Sequence, residues 1–152
     1  MTESYPTGAD LYLPVERWSD TSSRTAHNFE VIARLRKAWP GAILGVKDSS
    51  GDRDHTMRLL DAHGDLTILV GDERYLGSAA AKGASGSICG CGNYIPEHLL
   101  RTVAEGKDDP AVVKLVDAIC DEPVIPAVKA LTAHVTGEAA FARPRPPLAP
   151  LS

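Results

Sequence analysis

The sequence contains few of the features that mark secreted or membrane-spanning proteins. Its 152 residues include only three cysteines, an odd number that does not form a disulfide framework, so a reducing compartment is expected. No apolar run approaches the roughly 20 residues that a transmembrane helix needs. The first ten residues lack the basic-then-apolar pattern of a signal peptide. We therefore predict a cytoplasmic protein.

The sequence also has no excess of positive charge and no clustered set of metal ligands. The net charge of −4 gives no electrostatic reason to expect nucleic acid or an anionic membrane as a partner. Cys89 and Cys91 form a Cys-x-Cys pair, but no second pair supplies the roughly four ligands of a metal site, so we expect no metal and no cofactor. The histidines show no paired spacing and are expected on the surface: His27, His55, His63, His98 and His134.

Short apolar segments alternate with segments of helical periodicity. This alternation predicts an α/β protein whose parallel strands are joined by right-handed crossovers. The predicted strands are residues 9–13, 42–46, 67–70 and 86–89. The predicted helices are residues 25–39, 52–63, 73–82, 96–105, 109–120 and 123–135. We assign a single domain over residues 1–152, with βα units in 9–92, C-terminal helices in 93–137 and an extended proline-rich tail in 138–152.

Three local expectations follow from the same patterns. The strand at 42–46 is continuously apolar, which is typical of a strand covered on both faces. Asn93 is expected to cap the helix at 96–105. The first helix is expected to bury one face that consists of Val31, Ile32, Leu35, Ala38 and Trp39.

Residues 42–52, AILGVKDSSGD, place Lys47 at the end of an apolar strand. Low-dielectric surroundings disfavour an ammonium ion, so a lysine in such a place can act as a nucleophilic amine that forms an imine with a carbonyl. The alternative is an ordinary lysine whose charged head reaches water. Because side chains alternate along a strand, Asp48 is expected to point away from Lys47 if Lys47 points inward.

Several segments, in order and spacing from about residue 11 to 151, resemble the C-terminal half of the dihydrodipicolinate synthase and N-acetylneuraminate lyase family. They are LYLP, GVKDSSGD, ILVGDE, KGASGSICGCGNYIPE, PAVKALTAHVTG and RPPLAPLS. The resemblance implies a partial (β/α)8 barrel, roughly strands five to eight, followed by C-terminal helices. It also implies the chemistry of a class I aldolase, in which Lys47 forms a Schiff base with pyruvate or another 2-oxo acid.

The resemblance implies further site residues. Tyr12 matches the family's acid/base tyrosine, although Leu13 replaces the asparagine of that motif and one residue is missing before the proline. Ile88 matches the isoleucine whose backbone carbonyl faces the bound 2-oxo acid. Arg17 and Arg24 are both candidates for the arginine that grips a substrate carboxylate.

The chain departs from the family in length, because a complete (β/α)8 barrel needs about 250 residues. The first four strands are absent, and in the family their loops hold the carboxylate of the 2-oxo acid. The two outer strands would expose unpaired edges. Two copies could pair about a twofold axis, a complementary half-barrel chain could cover the edges, or the chain could be a truncated copy that folds poorly.

The sequence therefore supports two main functions. The first is a Schiff-base lyase or aldolase that needs a partner chain, either as a homo-oligomer or with a complementary half-barrel. The second is a truncated, non-catalytic paralogue that serves as an interaction or regulatory subunit. A third reading is a small doubly wound binding module; the trailing helices and the lack of a phosphate-binding fingerprint argue against it.

Overall fold

A four-stranded parallel sheet forms the centre of the structure. The computed structural model describes residues 12–14 and 22–151, with side chains from residue 29 onward. The strands lie side by side in chain order, each parallel to the next: β1 (Tyr12–Pro14), β2 (Gly45–Asp48), β3 (Thr67–Val70) and β4 (Gly86–Ser87). Consecutive neighbouring strands joined by crossovers are the arrangement of a barrel's βα units. The predicted parallel α/β sheet is confirmed.

In the part of the chain that the structure describes, six helices connect and follow the strands. They are α1 (Ser22–Ala38), α2 (Arg53–His63), α3 (Leu76–Ala81), α4 (Pro96–Glu105), α5 (Pro110–Cys120) and α6 (Val124–Thr136). Short 3₁₀ turns lie at Glu73–Tyr75, Cys91–Asn93 and Ala139–Ala142. Among the described residues, none of these helices has both the length and the apolar character needed to cross a bilayer.

Local sequence signals explain where two of these helices begin. The Asp52 carboxylate accepts a hydrogen bond from the backbone amide of His55 at 3.1 Å and so caps α2. Asp109 caps α5 in the same way, through the amide of Ala111 at 2.8 Å, and Pro110 occupies the first helical position. Such caps satisfy amides that have no partner inside the helix.

The two faces of the sheet differ in their exposure. Val46, Asp48, Ile68 and Val70 are completely buried on one face, while Lys47 and its neighbours on the other face are only half-buried. The expectation that the strand at 42–46 is covered on both faces is therefore wrong for the described residues. The strand begins at Gly45, and the preceding Leu44 remains 51% exposed.

The buried face packs against the helices. The core includes two apolar residues of α2, two of α3, one of α4 and three of α5: Leu59, Leu60, Leu76, Ala79, Leu99, Val112, Val116 and Ile119. Burial of the leucine, valine and isoleucine side chains stabilises the fold by roughly 1.5–3 kcal/mol each. The layer of helices therefore covers one face of the sheet and excludes water from it.

Two expectations about helices are corrected by the structure. Helix α1 begins at Ser22 and buries a narrower stripe than predicted, because Ile32 is buried while Val31, Ala38 and Trp39 are exposed. Asn93 does not cap α4. Its side-chain amide donates to the carbonyl of Gly90 at 2.9 Å within a 3₁₀ turn, and that turn uses the polar group that would otherwise have capped the helix.

Candidate functional site

Lys47 lies near the carboxyl end of β2, on the half-buried face of the sheet. Its Nζ donates a hydrogen bond to the hydroxyl of Ser49. Gly71 directly follows the neighbouring strand β3, and a Cβ added there would lie 3.1 Å from Lys47 Nζ and 2.5 Å from the backbone oxygen of Asp48. Gly71 is therefore the residue that lets the third strand's end approach the lysine amine closely.

Asp48 points to the opposite side of β2, as the alternation of side chains predicted. Its carboxylate accepts hydrogen bonds from the backbone amide of Ser50 at 3.0 Å, from Nδ1 of His55 at 3.3 Å and from the hydroxyl of Thr56. Burial alone would raise the pKa of Asp48, but the hydrogen bonds from His55, Thr56 and Ser50 outweigh it and lower the pKa. The residue next to Lys47 is thus a buried, hydrogen-bonded carboxylate.

The hydrogen-bonded group continues to the loop after β3. The hydroxyl of Thr56 lies 3.5 Å from the hydroxyl of Tyr75, which belongs to the 3₁₀ turn that follows Gly71. Burial raises the pKa of Tyr75 to about 12, so its hydroxyl keeps its proton at neutral pH. We call Asp48, His55, Thr56 and Tyr75 the Asp48 network.

The burial of two histidines corrects one expectation from the sequence. His55 and His63 are not surface residues, since they are 2% and 6% exposed. His55 and Asp48 also form a histidine–carboxylate pair, although they are seven residues apart across a strand and a turn. No helical or strand period links positions at that separation, which is why the pattern did not reveal the pair.

The structure describes the backbone positions of three other predicted site residues, Tyr12, Ile88 and Arg24, and the side chain of Ile88 only. Tyr12 is the first residue of β1, in register with Gly45 rather than with Lys47. Ile88 directly follows β4; its amide donates to the carbonyl of Val70 at 3.2 Å, and its side chain is 51% exposed. Arg24 lies in the first turns of α1 rather than in a preceding loop. Arg17 lies outside the described residues.

The register of the strands brings Lys47 and Ile88 to the same edge of the sheet, the one formed by the carboxyl ends of the strands. Lys47 is aligned with Leu69, and Asp48 with Val70, which in turn aligns with the last residue of β4. Ser49 and Gly71, which sequence reasoning did not select, lie at this edge as well. The signal for Ser49 was its spacing of two residues from Lys47, which places both on one side of an extended chain.

A cavity of about 300 Å³ lies beside this edge, lined by Ser49 and Gly71 and by side chains of α5 and α6. The buried carboxylate of Glu73 borders it and accepts the backbone amide of Cys91 at 2.9 Å. Burial raises the pKa of Cys91 to about 12, so the thiol stays protonated. Among the described residues, no cluster of His, Cys, Asp and Glu side chains could hold a metal ion.

The opposite ends of the strands carry a different polar cluster. Arg36 of α1 donates to Nδ1 of His63 at 3.0 Å and also pairs with the exposed Asp65. These residues line a cavity of about 610 Å³ together with Trp39 and other side chains. Burial and the positive charge of Arg36 lower the pKa of His63. This cluster contains no nucleophile comparable to the Lys47 amine.

The chain resembles known proteins in family profile, in sequence and in structure. The sequence profile of the dihydrodipicolinate synthetase family matches residues 20–152. An uncharacterized DapA-like lyase of Chloroflexus aurantiacus is 35% identical over 116 residues, which are 71% of this chain and 38% of that protein. The chain therefore spans well under half the length of this curated relative.

Solved structures give the same result. The crystal structure of dihydrodipicolinate synthase from Agrobacterium tumefaciens is 46% identical, with a TM-score of 0.78 over 82% of this chain and 43% of that one. A Sulfolobus 2-keto-3-deoxygluconate aldolase, solved in complex with D-KDPG, matches at a TM-score of 0.64 and 21% identity over 81% of this chain and 43% of that one. This second likeness shows the fold alone. Together they confirm the predicted partial barrel with C-terminal helices.

Proposed function

The chain belongs to the dihydrodipicolinate synthetase family, and on that basis we propose that it carries out Schiff-base chemistry on pyruvate or another 2-oxo acid. In this proposal Lys47 supplies the amine. The reaction is that of a class I lyase or aldolase, which makes or breaks a bond at the carbon next to the imine.

One observation carries this proposal. The Lys47 amine is held at the carboxyl end of its strand, between the Ser49 hydroxyl and the backbone at Gly71, while Asp48 turns to the helix side. The carboxyl ends of barrel strands form the face on which barrel enzymes carry their active sites. A lysine whose amine only reached water would not need a glycine, Gly71, at the end of the neighbouring strand.

The proposed chemistry uses the amine as a covalent catalyst. The unprotonated Nζ of Lys47 attacks the carbonyl carbon of the 2-oxo acid and forms a carbinolamine. A general acid protonates the carbinolamine hydroxyl, which leaves as water and gives an iminium. The electrons of a bond at the adjacent carbon then move toward nitrogen and form an enamine. The enamine takes up a proton or an aldehyde carbon, and water hydrolyses the imine to return the amine.

The remaining predicted residues fit this scheme as proposals. Tyr12 would transfer the proton during imine formation, as a general acid and base on the neighbouring strand. The backbone carbonyl of Ile88, which follows β4, would face the bound 2-oxo acid. Arg24 or Arg17 would bind a substrate carboxylate. The register of the strands supports this placement for Ile88, which directly follows β4, whereas Tyr12 is level with Gly45, two residues before Lys47.

The rest of the site would come from polypeptide outside the described residues, either in this protein or in a second chain. Within the described sheet, β1 and β4 each pair with one neighbour only, so each presents an open edge. These edges also favour the second candidate function, a non-catalytic subunit that binds a relative through its open strands. The two candidates differ in whether Lys47 reacts.

Reductive trapping distinguishes them. The purified protein is incubated with pyruvate and reduced with borohydride, and its mass is measured by intact-protein mass spectrometry. The Lys47→Arg variant and a control, Lys114→Arg on the exposed side of α5, are treated in the same way. We expect one reduced pyruvate adduct in the wild type and in Lys114→Arg, and none in Lys47→Arg, because a guanidinium does not form this imine.

The absence of an adduct would count against catalysis if the protein is folded and a full-length relative is labelled in parallel. Circular dichroism provides the test of folding, and light scattering gives the oligomeric state. A folded protein that forms a complex but gives no adduct would favour the non-catalytic subunit instead.

A further inference from the structure

The Asp48 network is more elaborate than a strand end requires. We propose that it positions Lys47, so that Asp48, Thr56 and Tyr75 act on the reaction through the lysine without touching the substrate. This inference rests on the proposed function for its catalytic meaning, while its structural content, the placement of the Lys47 amine, can be tested without any substrate.

The first step of the argument is the position of Asp48 in the chain. It directly follows Lys47, it is fully buried, and each of its carboxylate oxygens accepts at least one hydrogen bond. One bond comes from Ser50 in the turn and two come from the first turn and a half of α2. The end of β2 is therefore tied to α2, and the direction of Lys47 is set with it.

The second step is the connection to the neighbouring strand. Tyr75 reaches Thr56 from the 3₁₀ turn after β3, four residues beyond Gly71. The gap between the ends of β2 and β3 is thereby bridged on the helix side by hydroxyl groups. On the other side the same gap holds the Lys47 amine, within 3.1 Å of the place where a Cβ of Gly71 would be.

The third step is that His55 is fixed by packing as well as by its hydrogen bond. Its ring lies 4.9 Å from the ring of Phe29, centroid to centroid, and its Nδ1 donates to Asp48. Its Nε2 is buried and has no hydrogen-bond partner among the described residues. A ring in this state cannot turn over without losing the bond to Asp48, so it holds the carboxylate in one orientation.

Removal of one hydroxyl tests the proposal. Thr56→Val keeps the shape of the side chain and loses the bond to Asp48, whereas Thr56→Ser keeps the hydroxyl. Thr102→Val is the matched control, because Thr102 is equally buried but bonds only to its own helix, at the carbonyl of His98. Tyr75→Phe removes only the outer hydroxyl and serves as a second, milder variant.

Two readouts are needed. The first is the rate of reductive trapping as a function of pyruvate concentration, which separates binding from reaction. We expect Thr56→Val to lower the saturating rate on the order of tenfold to a hundredfold, as misplacement of a reacting group does. Thr56→Ser should recover most of that rate, Tyr75→Phe should show a smaller loss, and Thr102→Val should show none.

The second readout needs no pyruvate. Each protein is treated briefly with an amine-acylating reagent, and the acylation of Lys47 relative to Lys114 is measured by peptide mass spectrometry at a temperature where the variant is folded. We expect the ratio to change by several-fold in Thr56→Val and to stay within about twofold in Thr102→Val.

The outcomes separate the two proposals. If the wild type gives no pyruvate adduct, the proposed function fails, and the acylation ratio alone decides whether the network positions Lys47. An unchanged acylation ratio in both Thr56→Val and Tyr75→Phe would overturn the positioning role. So would a folded Thr56→Val protein that traps pyruvate at the wild-type rate.

Discussion

Helix α2 carries two buried histidines whose surroundings differ. His55 lies near its start and donates to the buried Asp48, at the carboxyl ends of the strands. His63 ends the helix and accepts from the guanidinium of Arg36, at the opposite ends of the strands. The same residue type is used beside a carboxylate at one end and beside a cation at the other.

The difference separates a buried, hydrogen-bonded carboxylate next to Lys47, the residue that the proposed function uses, from a partly exposed ion pair at the other ends of the strands. At the His55 end, the polar groups surround the strand that holds Lys47. At the His63 end, they join α1 to α2 and reach the exposed Asp65. In barrel enzymes the active site lies at the carboxyl ends of the strands, so only variants at those ends are expected to affect the proposed chemistry at Lys47. Variants at the two ends can test this division.

The largest expected effect is the loss of the buried carboxylate. Asp48→Ala leaves His55 Nδ1 and the Ser50 amide without this acceptor, and the Thr56 hydroxyl keeps only the carbonyl of Asp52 at 3.2 Å and the Tyr75 hydroxyl at 3.5 Å. The variant should lower the free energy of unfolding by about 3–5 kcal/mol. Asp65→Ala removes a carboxylate that is 63% exposed, and should change stability little. Urea denaturation of both variants measures the difference. Equal effects would show that the two ends are not distinct.

The next effect concerns two glycines at opposite ends of the strands: Gly71 follows β3, and Gly41 precedes β2. A Cβ on Gly71 would lie 2.5 Å from the backbone oxygen of Asp48, so Gly71→Ala should cost about 3 kcal/mol and impair trapping at Lys47. Gly41 has a φ of +79° and no atom within 4 Å of such a Cβ, so Gly41→Ala should cost about 1–2 kcal/mol and leave trapping unchanged. Impaired trapping in the Gly41 variant would contradict the division.

The smallest effect is expected in the dependence of stability on pH. The pKa of His63 is lowered from 6.5 and that of Asp48 from 3.8, so below each ordinary value the unfolded chain binds protons that the folded chain does not. Stability should therefore fall in two steps on acidification, first below about pH 6.5 through His63, and then below about pH 3.8 through Asp48.

His63→Gln provides the control for this titration. It should remove the first step and keep the second, as measured by the urea midpoint at a series of pH values. A first step that persists unchanged in this variant would assign it to another group and remove the evidence that His63 is held neutral.

Much of the fold could be predicted from local signals. The strand at 67–70 and the helix at 96–105 have the predicted bounds, because an apolar run defines the first, and Pro96 and Gly106 bracket the second. Lys47 was selected because a lysine at the end of an apolar strand is chemically conspicuous. The alternation of side chains along a strand predicted the direction of its neighbour Asp48, while Ser49 was not selected.

The rest depends on contacts between elements. The burial of His55 and His63 arises from partners on other elements, Asp48 of β2 and Arg36 of α1, and no periodicity within α2 indicates either partner. The narrow buried stripe of α1 and the half-exposed face of the sheet have a similar origin. A residue pattern shows which side chains are apolar, but the neighbours decide whether a surface is covered.

The most direct test of the central claim is the location of the pyruvate adduct. After incubation with pyruvate and reduction, the protein is digested and each lysine-containing peptide is quantified. The account predicts that the adduct lies on Lys47, with at most trace labelling of exposed lysines such as Lys114. Adducts spread over surface lysines in proportion to their exposure, or no adduct in a folded protein, would contradict it.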